Sequence, residues 1–280
     1  MSETILYATD LSKNAGEVLK YAYHLSNSFD KTLTILHIYQ MPHIRFMVSR
    51  PKEQMKLMAI EEQKAVVKHY CSKHLADNFT DKRIKIKVLI EDNVLDGIVK
   101  VAKKLSPFMV LIGRKDKQTE RGLLAGHIGK GLFTDLEVPV VIVPHKIKDI
   151  RSKNLIYATD FEEGDFFALK ELIEMAKVAD ANIHVVHIST KDEQKGNEAM
   201  RAFKKRLLSE TDYDRIRFFV LPCNNIKKKL KSYSKEINAD LIALLTREEP
   251  GFFKQLFSRS LAEKLEVDIP IPLMSFNDAS

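Results

Sequence analysis

The chain has 280 residues, 45% hydrophobic and 30% charged, a composition typical of globular proteins and sufficient for two domains. No apolar run approaches the roughly 20 residues of a membrane span, and the residues after Met1 lack the basic and apolar regions of an export signal, so we expect a cytoplasmic protein. The two cysteines, Cys71 and Cys223, lie far apart in unrelated patterns, which argues against a disulfide framework and a metal site.

Strands and helices alternate along the first half of the chain. Buried strands read as uninterrupted Val, Ile and Leu, whereas the helices keep a 3.6-residue apolar period. Asn14, followed three residues later by Glu17, predicts the start of the first helix by a capping box. The first helix has its apolar positions at Ala15, Val18, Leu19, Ala22 and Leu25. The other predicted elements are strand 4–10, strand 32–39, helix 51–77, strand 84–90, helix 94–105, strand 108–112, helix 126–136 and strand 138–143.

The second half repeats this order and part of the sequence. Residues 5–10, Ile-Leu-Tyr-Ala-Thr-Asp, return as Leu-Ile-Tyr-Ala-Thr-Asp at 155–160, and strand 32–39 returns at 182–189 in the same register of 150 residues. The predicted elements are strand 154–160, helix 165–179, strand 182–188, helix 197–209, strand 215–221, helix 225–237, strand 240–245, helix 258–266 and strand 268–274.

A repeat of this length indicates a duplicated domain, since each copy can bury its own core. We predict two domains, 1–146 and 152–280, joined by a polar linker from His145 to Asn154. Each is expected to be α/β, a doubly wound, open, parallel five-stranded sheet with helices on both faces. In such sheets a ligand binds beyond the carboxyl ends of the strands. This rule selects Asp10 and Asp160, which follow the first strand of each repeat, and which either bind a ribose or base edge or cap the next helix.

These residues resemble the universal stress protein family in its tandem, two-domain form. The resemblance lies in the Ala-Thr-Asp that ends both first strands, in His37-Ile38 and His187-Ile188, in Glu91-Asp92-Asn93 and in the closing strands with Pro139 and Pro270. It implies a Rossmann-like fold of the adenine nucleotide alpha-hydrolase type. In members that bind ATP, a Gly-x-x-Gly loop after strand four is followed, nine residues later, by Gly-Ser or Gly-Thr. Glycines let the backbone approach phosphates, and the helix N-terminus donates hydrogen bonds.

Repeat one keeps part of that loop. Gly113-Arg114-Lys115-Asp116 is followed after nine residues by Gly126-His127. Asp116 and His127 depart from the pattern, because a carboxylate and an imidazole replace a glycine and a hydroxyl residue. The resemblance therefore implies a weakened site for ATP or another adenine nucleotide. Its candidate residues are Asp10, Gly113, Arg114, Lys115, Gly126 and His127.

Repeat two keeps less of the loop. Leu245 to Glu249 lacks the paired glycines, and Ser258 provides a hydroxyl that either binds an anion or caps the fourth helix. Asp160 and Ser258 are its candidate residues. The matching His37 and His187 are interpreted as neutral core histidines bonded to the backbone, with no metal site.

The net charge of +7 raises the question of nucleic acid. The densest basic runs, 204–206 and 227–229, lie in helical patterns with apolar positions on another face, so we interpret them as solvated helix faces. Tryptophan is absent and no aromatic residues are interleaved with the lysines. Specific nucleic-acid recognition is not expected.

The resemblance implies a cytoplasmic stress-response or signalling protein that acts by binding an adenine nucleotide and an unidentified protein partner. Two alternatives stay open: a partner-binding module without nucleotide, and an adenylating enzyme that uses ATP. No catalytic motif is present, so at most slow ATP hydrolysis is expected. We also predict an internal pseudo-dimer, in which strand 138–143 pairs with residues 269–274 and Pro272 limits the pairing.

Overall fold

The computed structural model describes residues 2–12, 14–42, 52–114, 123–147, 153–246 and 269–277. They fold into two compact units, Met1–Val138 and Pro139–Ser280. Within these ranges no helix is long and apolar enough to cross a membrane. Both units are built from parallel strands that alternate with helices, as the sequence predicts.

The first unit has four parallel strands in the order β3-β2-β1-β4. Its central strands are fully buried, because helices cover both faces of such a sheet. The strands are β1 Thr4–Thr9, β2 Thr32–Tyr39, β3 Ile84–Ile90 and β4 Met109–Gly113. The helices are α1 Ala15–Ser28, α2 Lys52–Leu75, α3 Val94–Leu105 and α4 Leu123–Asp135, and a short 3-10 helix, Ala76–Thr80, follows α2.

Asn14 marks the start of α1 as predicted, but the predicted capping box and the predicted start of the fourth helix are wrong. Asn14 precedes α1, but its backbone is already helical and its side chain makes no capping hydrogen bond. Glu17 pairs with Lys20 at 2.8 Å. Leu123 to Ala125 already belong to the fourth helix, so Gly126 lies inside it rather than at its start, in keeping with the high helix propensity of Leu and Ala.

The second unit has six strands in the order β5-β10-β9-β6-β7-β8. All neighbours are parallel except β5 and β10. The strands are β5 Val140–Val143, β6 Asn154–Ala158, β7 Asn182–Ser189, β8 Ile216–Pro222, β9 Leu241–Thr246 and β10 Leu273–Asn277. The helices are α5 Glu163–Ala179, α6 Glu193–Leu208 and α7 Ile226–Glu236. The predicted helix 258–266 lies outside the described residues.

The last strand differs from its prediction. β10 spans Leu273–Asn277 rather than 268–274, because Pro270 and Pro272 have no N–H to donate to a sheet. Its antiparallel pairing joins Leu273 to Ile142, Met274 to Val141 and Ser275 to Val140. Pairing therefore involves only the end of the predicted segment 269–274. The pseudo-dimer of the two repeats stays a prediction.

Candidate functional site

Two sequence-selected residues follow neighbouring strand ends in the first unit. β1 pairs with β4, with Ala8 opposite Ile112, so Asp10 and Gly113 lie just beyond this pair. Asp10 is exposed, and its carboxylate accepts a hydrogen bond from the Ser12 amide at 3.0 Å. The carboxylate therefore shapes the turn after β1. It does not cap α1, because the residue at the N-cap is Asn14.

Gly113 has a packing reason to be glycine. A Cβ atom at this position would lie 3.3 Å from Cγ2 of Val18 on α1, closer than most such contacts. Arg114, the next residue, is half-buried. Because α1 lies so close, a side chain larger than glycine would be crowded at the end of β4. This packing constraint holds whether or not a ligand binds there.

Some of the other candidate residues lie among the described residues and some do not. Gly126 and His127 lie inside α4 rather than at its start. Lys115 and Ser258 lie outside the described residues. The structure thus brings together Asp10, Gly113 and Arg114 at one end of the first sheet. Asp160 follows β6 at the matching place in the second unit.

The paired histidines have the same geometry in both units. Nδ1 of His37 lies 3.0 Å from the Thr9 carbonyl oxygen, and Nδ1 of His187 lies 3.0 Å from that of Thr159. Because a carbonyl only accepts, each Nδ1 carries the hydrogen. Burial lowers the pKa of His187, although the bond to Thr159 opposes this shift. The predicted bond to the backbone is confirmed for both histidines; His187 is buried in the core, whereas His37 is half-buried.

A buried carboxylate that the sequence analysis missed organises the turn after β6. Asp165, in the first turn of α5, is 2% exposed and accepts four hydrogen bonds. The Tyr157 hydroxyl donates to Oδ1 at 2.8 Å. The Thr159 hydroxyl and the amides of Asp160 and Glu162 donate to Oδ2, each at 3.0 Å. One side chain therefore joins the strand, the turn and the helix.

Burial and hydrogen bonding act in opposite directions on Asp165. Removal from water raises the pKa of this carboxyl group, and the donors from Tyr157, Asp160, Glu162 and Thr159 lower it. The net direction is upward. A satisfied internal carboxylate fixes the backbone around Asp160, and it presents its acceptors to the protein rather than to a ligand.

The first unit has a different residue and a different hydrogen bond at the position of Asp165. Ala15 stands where the second unit has Asp165, and the Tyr7 hydroxyl donates to the Ala15 carbonyl oxygen at 3.0 Å. Tyr70 of α2, which is 8% exposed, has a buried hydroxyl that makes no hydrogen bond of good geometry and interacts with the hydroxyls of Tyr7 and Thr9. Burial raises the pKa of Tyr70 to about 12. The turn after β1 thus has no counterpart of the Asp165 carboxylate that holds the turn after β6.

Side chains fill the strand ends of the second unit. The Phe161 ring packs on His187 with centroids 4.4 Å apart, and Leu245, which stands where the first unit has Gly113, is 4% exposed. The Thr246 hydroxyl bonds to the Ser275 hydroxyl and to Oδ1 of Asn277, both at 2.7 Å. The polar side chains of β9 and β10 thus form hydrogen bonds with each other at this end of the strands.

The sequence carried one signal for Asp165. An acidic residue in the first turn of a helix is favoured by the helix dipole, and here it reaches back to the N-cap amide of Glu162. Its burial and its tyrosine and threonine donors depend on tertiary packing. A groove of about 640 Å³ lies farther along α5, lined by Lys170, Glu174 and Asp212 among others, and contains none of the candidate residues. No cluster of three metal-ligating side chains occurs in the described ranges.

The sequence of the first half of the chain matches a known protein family. The model of the universal stress protein family matches residues 1–144, half of the chain. The chain belongs to the universal stress protein family. No curated protein matches its sequence.

Solved universal stress proteins share the fold over nearly the whole chain. One from Archaeoglobus fulgidus DSM 4304 is 18% identical, with a TM-score of 0.70 over 98% of this chain and 96% of that one. A putative universal stress protein from Pseudomonas aeruginosa UCBPP-PA14 is 13% identical, with a TM-score of 0.63 over 99% of this chain and 93% of that one. These similarities extend through both units, so this universal stress protein has the tandem form.

Proposed function

We propose that this universal stress protein is a cytoplasmic stress-response or signalling protein that acts by binding, with an adenine nucleotide site in the first unit. The supporting observation is the difference between matching strand ends. The first unit combines an exposed Asp10 with Gly113 on the adjacent strand, whereas the second has Leu245 at the position of Gly113 and covers His187 with Phe161.

Each residue has a distinct role in this proposal. Asp10 uses one oxygen to hold the Ser12 amide, and its carboxylate accepts hydrogen bonds from the ribose or base edge. Gly113 lets the backbone approach the nucleotide, and Arg114 and Lys115 neutralise phosphate charge. Gly126 and His127, on α4, are assigned to the phosphate side of the site. Ligand binding then changes a nearby surface that a protein partner recognises.

The second unit is proposed to serve without nucleotide. Its strand ends are occupied by Phe161 and Leu245, and the carboxylate of Asp165 is saturated by four donors. Asp160 is the matching residue there, and Ser258 is assigned a structural cap rather than phosphate binding. We assign the function of both units to binding rather than to catalysis.

Titration calorimetry with ATP, together with analysis of small molecules released from freshly purified protein, tests this proposal. We expect about one equivalent of nucleotide per chain. Asp10→Ala should weaken binding by at least about tenfold, as expected for a lost charge-assisted hydrogen bond. Asp160→Ala is the matched control and should leave the affinity unchanged. Circular dichroism checks that both variants fold.

The alternatives give different results. No heat and no released nucleotide would reject the nucleotide site and favour a partner-binding module. Conversion of ATP to AMP and pyrophosphate would favour the adenylating enzyme. An equal loss of affinity in Asp10→Ala and Asp160→Ala would reject the assignment to the first unit.

A further inference from the structure

The positive charge of this chain is concentrated in one segment of the second unit. Residues 215–235 contain seven Lys and Arg residues and no Asp or Glu, and the whole chain has a net charge of +7. The remaining residues therefore balance to zero. The segment comprises β8, the turn after it and α7 as far as Lys235; the last residue of α7, Glu236, is acidic. Such a local excess requires an explanation beyond overall solubility.

This segment lies at the outer edge of the second sheet. In the described part of the chain β8 pairs with β7 and with no other strand. α7 packs inward through Ile226, Leu230 and Tyr233, and Nδ1 of His184 lies 2.7 Å from the Tyr233 hydroxyl. Its lysines consequently lie on the outer side of the helix, with Lys228 and Lys235 exposed.

Little negative charge offsets these cations. Arg215 pairs with Asp180 at 2.8 Å. No carboxylate among the described residues forms an ion pair with Arg217, Lys228, Lys231 or Lys235. Burial lowers the pKa of His184, and the nearby charge of Arg217 lowers it further.

The first turn of α7 is positive where helices favour negative charge. Its N-cap Asn225 accepts from the Lys228 amide at 2.9 Å. In the matching helix of the first unit, Asn93 caps α3 and Asp96 occupies the position of Lys228. A lysine near a helix N-terminus opposes the dipole by a few tenths of a kcal/mol. The positive charge is therefore retained against local helix stability.

Cations from α6 extend the positive surface across the strand. Nζ of Lys204 lies 5.4 Å from the Phe218 ring centroid, and the exposed Arg201 lies three residues before it, on the same side of α6. Phe219, the next residue of β8, points to the opposite sheet face, against Tyr233. We define the basic face as Arg201, Lys204, Arg217, Lys228, Lys231 and Lys235. It wraps around the outer edge of β8.

The composition of this face favours one class of partner. If an acidic strand of another protein paired with β8, it would contact one charged residue, Arg217, in the span Ile216–Pro222. A membrane surface would need apolar side chains to insert, but the exposed residues of α7 are Lys228, Ser232, Lys235 and Glu236. Lys231 and Lys235 lie one helical turn apart, about 6 Å along the axis, which suits a chain of regularly spaced phosphates.

We propose that the basic face binds nucleic acid through its phosphate backbone, without sequence preference. The aromatic rings nearby are engaged within the protein: Phe219 and Tyr233 pack against each other, and Lys204 covers Phe218. Bases are therefore not stacked or read, and binding depends on charge alone. This function is separate from nucleotide binding in the first unit.

Fluorescence anisotropy with labelled 20-nucleotide RNAs and DNAs of unrelated sequence tests the proposal. At low salt we expect binding of similar strength to all sequences, falling steeply as salt increases. The triple variant Lys228→Gln, Lys231→Gln, Lys235→Gln should bind at least about tenfold more weakly. Its slope of log affinity against log salt should be shallower by about two to three, one for each lost phosphate contact.

A matched control removes the same charge from the equivalent helix of the first unit. Lys100→Gln, Lys103→Gln, Lys104→Gln in α3 should change affinity by less than about threefold. Equal losses in both triple variants would overturn the proposal, as would no binding at low salt. Stronger binding to polyglutamate, or to vesicles containing an anionic lipid, would also overturn it and assign the face to an acidic protein or a membrane.

Discussion

Asp165 differs from its counterpart Ala15 by one carboxyl group, and that group changes the turn after β6. Four donors converge on it from β6, the turn and the N-cap residue. In the first unit the Tyr7 hydroxyl bonds to a backbone carbonyl at the same place. Because buried donors without an acceptor are costly, the two turns should respond differently to substitution.

Asp165→Ala should destabilise the second unit. The substitution leaves the hydroxyls of Tyr157 and Thr159 and the amides of Asp160 and Glu162 without their acceptor. We expect the free energy of unfolding to fall by about 2–4 kcal/mol. Urea unfolding followed by circular dichroism measures the loss, and hydrogen exchange should place it in α5. Asp10→Ala, at an exposed position, should cost less than about 1 kcal/mol; an equal loss would contradict the assigned role.

Asp165 should also make the stability of the second unit depend on pH. Burial raises the pKa of its carboxyl above the ordinary value of 3.8, so the folded state binds the proton more tightly than the unfolded state. Its contribution to stability is fully present below 3.8 and is lost as pH rises through the raised value. Relative to Asp165→Asn, the wild-type free energy of unfolding should fall as pH increases from about 4.

The amide variant makes this comparison specific. In Asp165→Asn the carbonyl oxygen can replace Oδ2, and the amide nitrogen can donate to the Tyr157 oxygen, so packing is preserved while titration is removed. Unfolding of both proteins by urea, measured from about pH 4 to pH 7, gives the difference. A difference independent of pH, or one that grows in the other direction, would show that Asp165 does not titrate as described.

Tyr70 and Tyr7 offer a matched pair of hydroxyls in the first unit. Tyr70→Phe removes a buried hydroxyl that makes no hydrogen bond of good geometry and interacts with the hydroxyls of Tyr7 and Thr9. We expect stability to rise by about 0.5–1 kcal/mol. Tyr7→Phe removes the bond to the Ala15 carbonyl and should lower it by about 1 kcal/mol. Changes of the same sign in urea unfolding would contradict this assignment.

At the scale of elements, α3 and α7 show how similar caps support helices of different charge. Asn93 and Asn225 each accept from amides of the first turn, but Asp96 occupies the position taken by Lys228. Both helices bury one apolar stripe, as their 3.6-residue period predicts. The two helices differ in the charge of their outer faces, which do not pack against the sheet.

Lys228→Glu should stabilise α7 while weakening the basic face. A carboxylate at this position interacts favourably with the helix dipole, so we expect stability to increase by about 0.5 kcal/mol. Thermal unfolding measures the gain, and Lys235→Glu, near the other end of the helix, is the control that should give no gain. A loss of stability in Lys228→Glu would show that the lysine has a structural contact there.

At the scale of the whole molecule, the structural units and the sequence repeats divide the chain at different places. The repeats predict domains 1–146 and 152–280, whereas the compact units meet between Val138 and Pro139. β5 therefore belongs to the second unit, where it pairs with β10. A strand with four buried residues, two neighbouring prolines and no charge depends on such pairing to avoid aggregation.

Val141→Asp should weaken the pairing of β5 with β10, and it therefore tests how much this pairing contributes. Val141 is fully buried and lies opposite Met274, so a carboxylate there would be desolvated without a partner. Hydrogen exchange of β10 amides should accelerate by at least about tenfold at neutral pH, since local opening becomes easier. Glu137→Asp, at the exposed end of the segment before β5, is the control. Unchanged protection of β10 would show that the pairing contributes little.

The sequence by itself determined the alternating elements, the duplication and the family. These follow from local apolar periodicity and from motifs repeated 150 residues apart, which are properties of neighbouring residues. It also selected Asp10 and Asp160, because strand ends mark the edge of a parallel sheet, and the family resemblance added Gly113. Neither periodicity nor a short motif encodes exact ends, so the bounds of the last strand and the capping of α1 were misjudged.

Only the tertiary structure decided how buried polar groups are satisfied and where charge accumulates. The four donors of Asp165, the buried hydroxyls of Tyr70 and Tyr7 and the packing of Phe161 on His187 bring together residues from separate elements. The basic face likewise joins α6, β8 and α7 around one sheet edge. Such arrangements depend on distances between elements, and a linear pattern contains no information on those distances until the chain is folded.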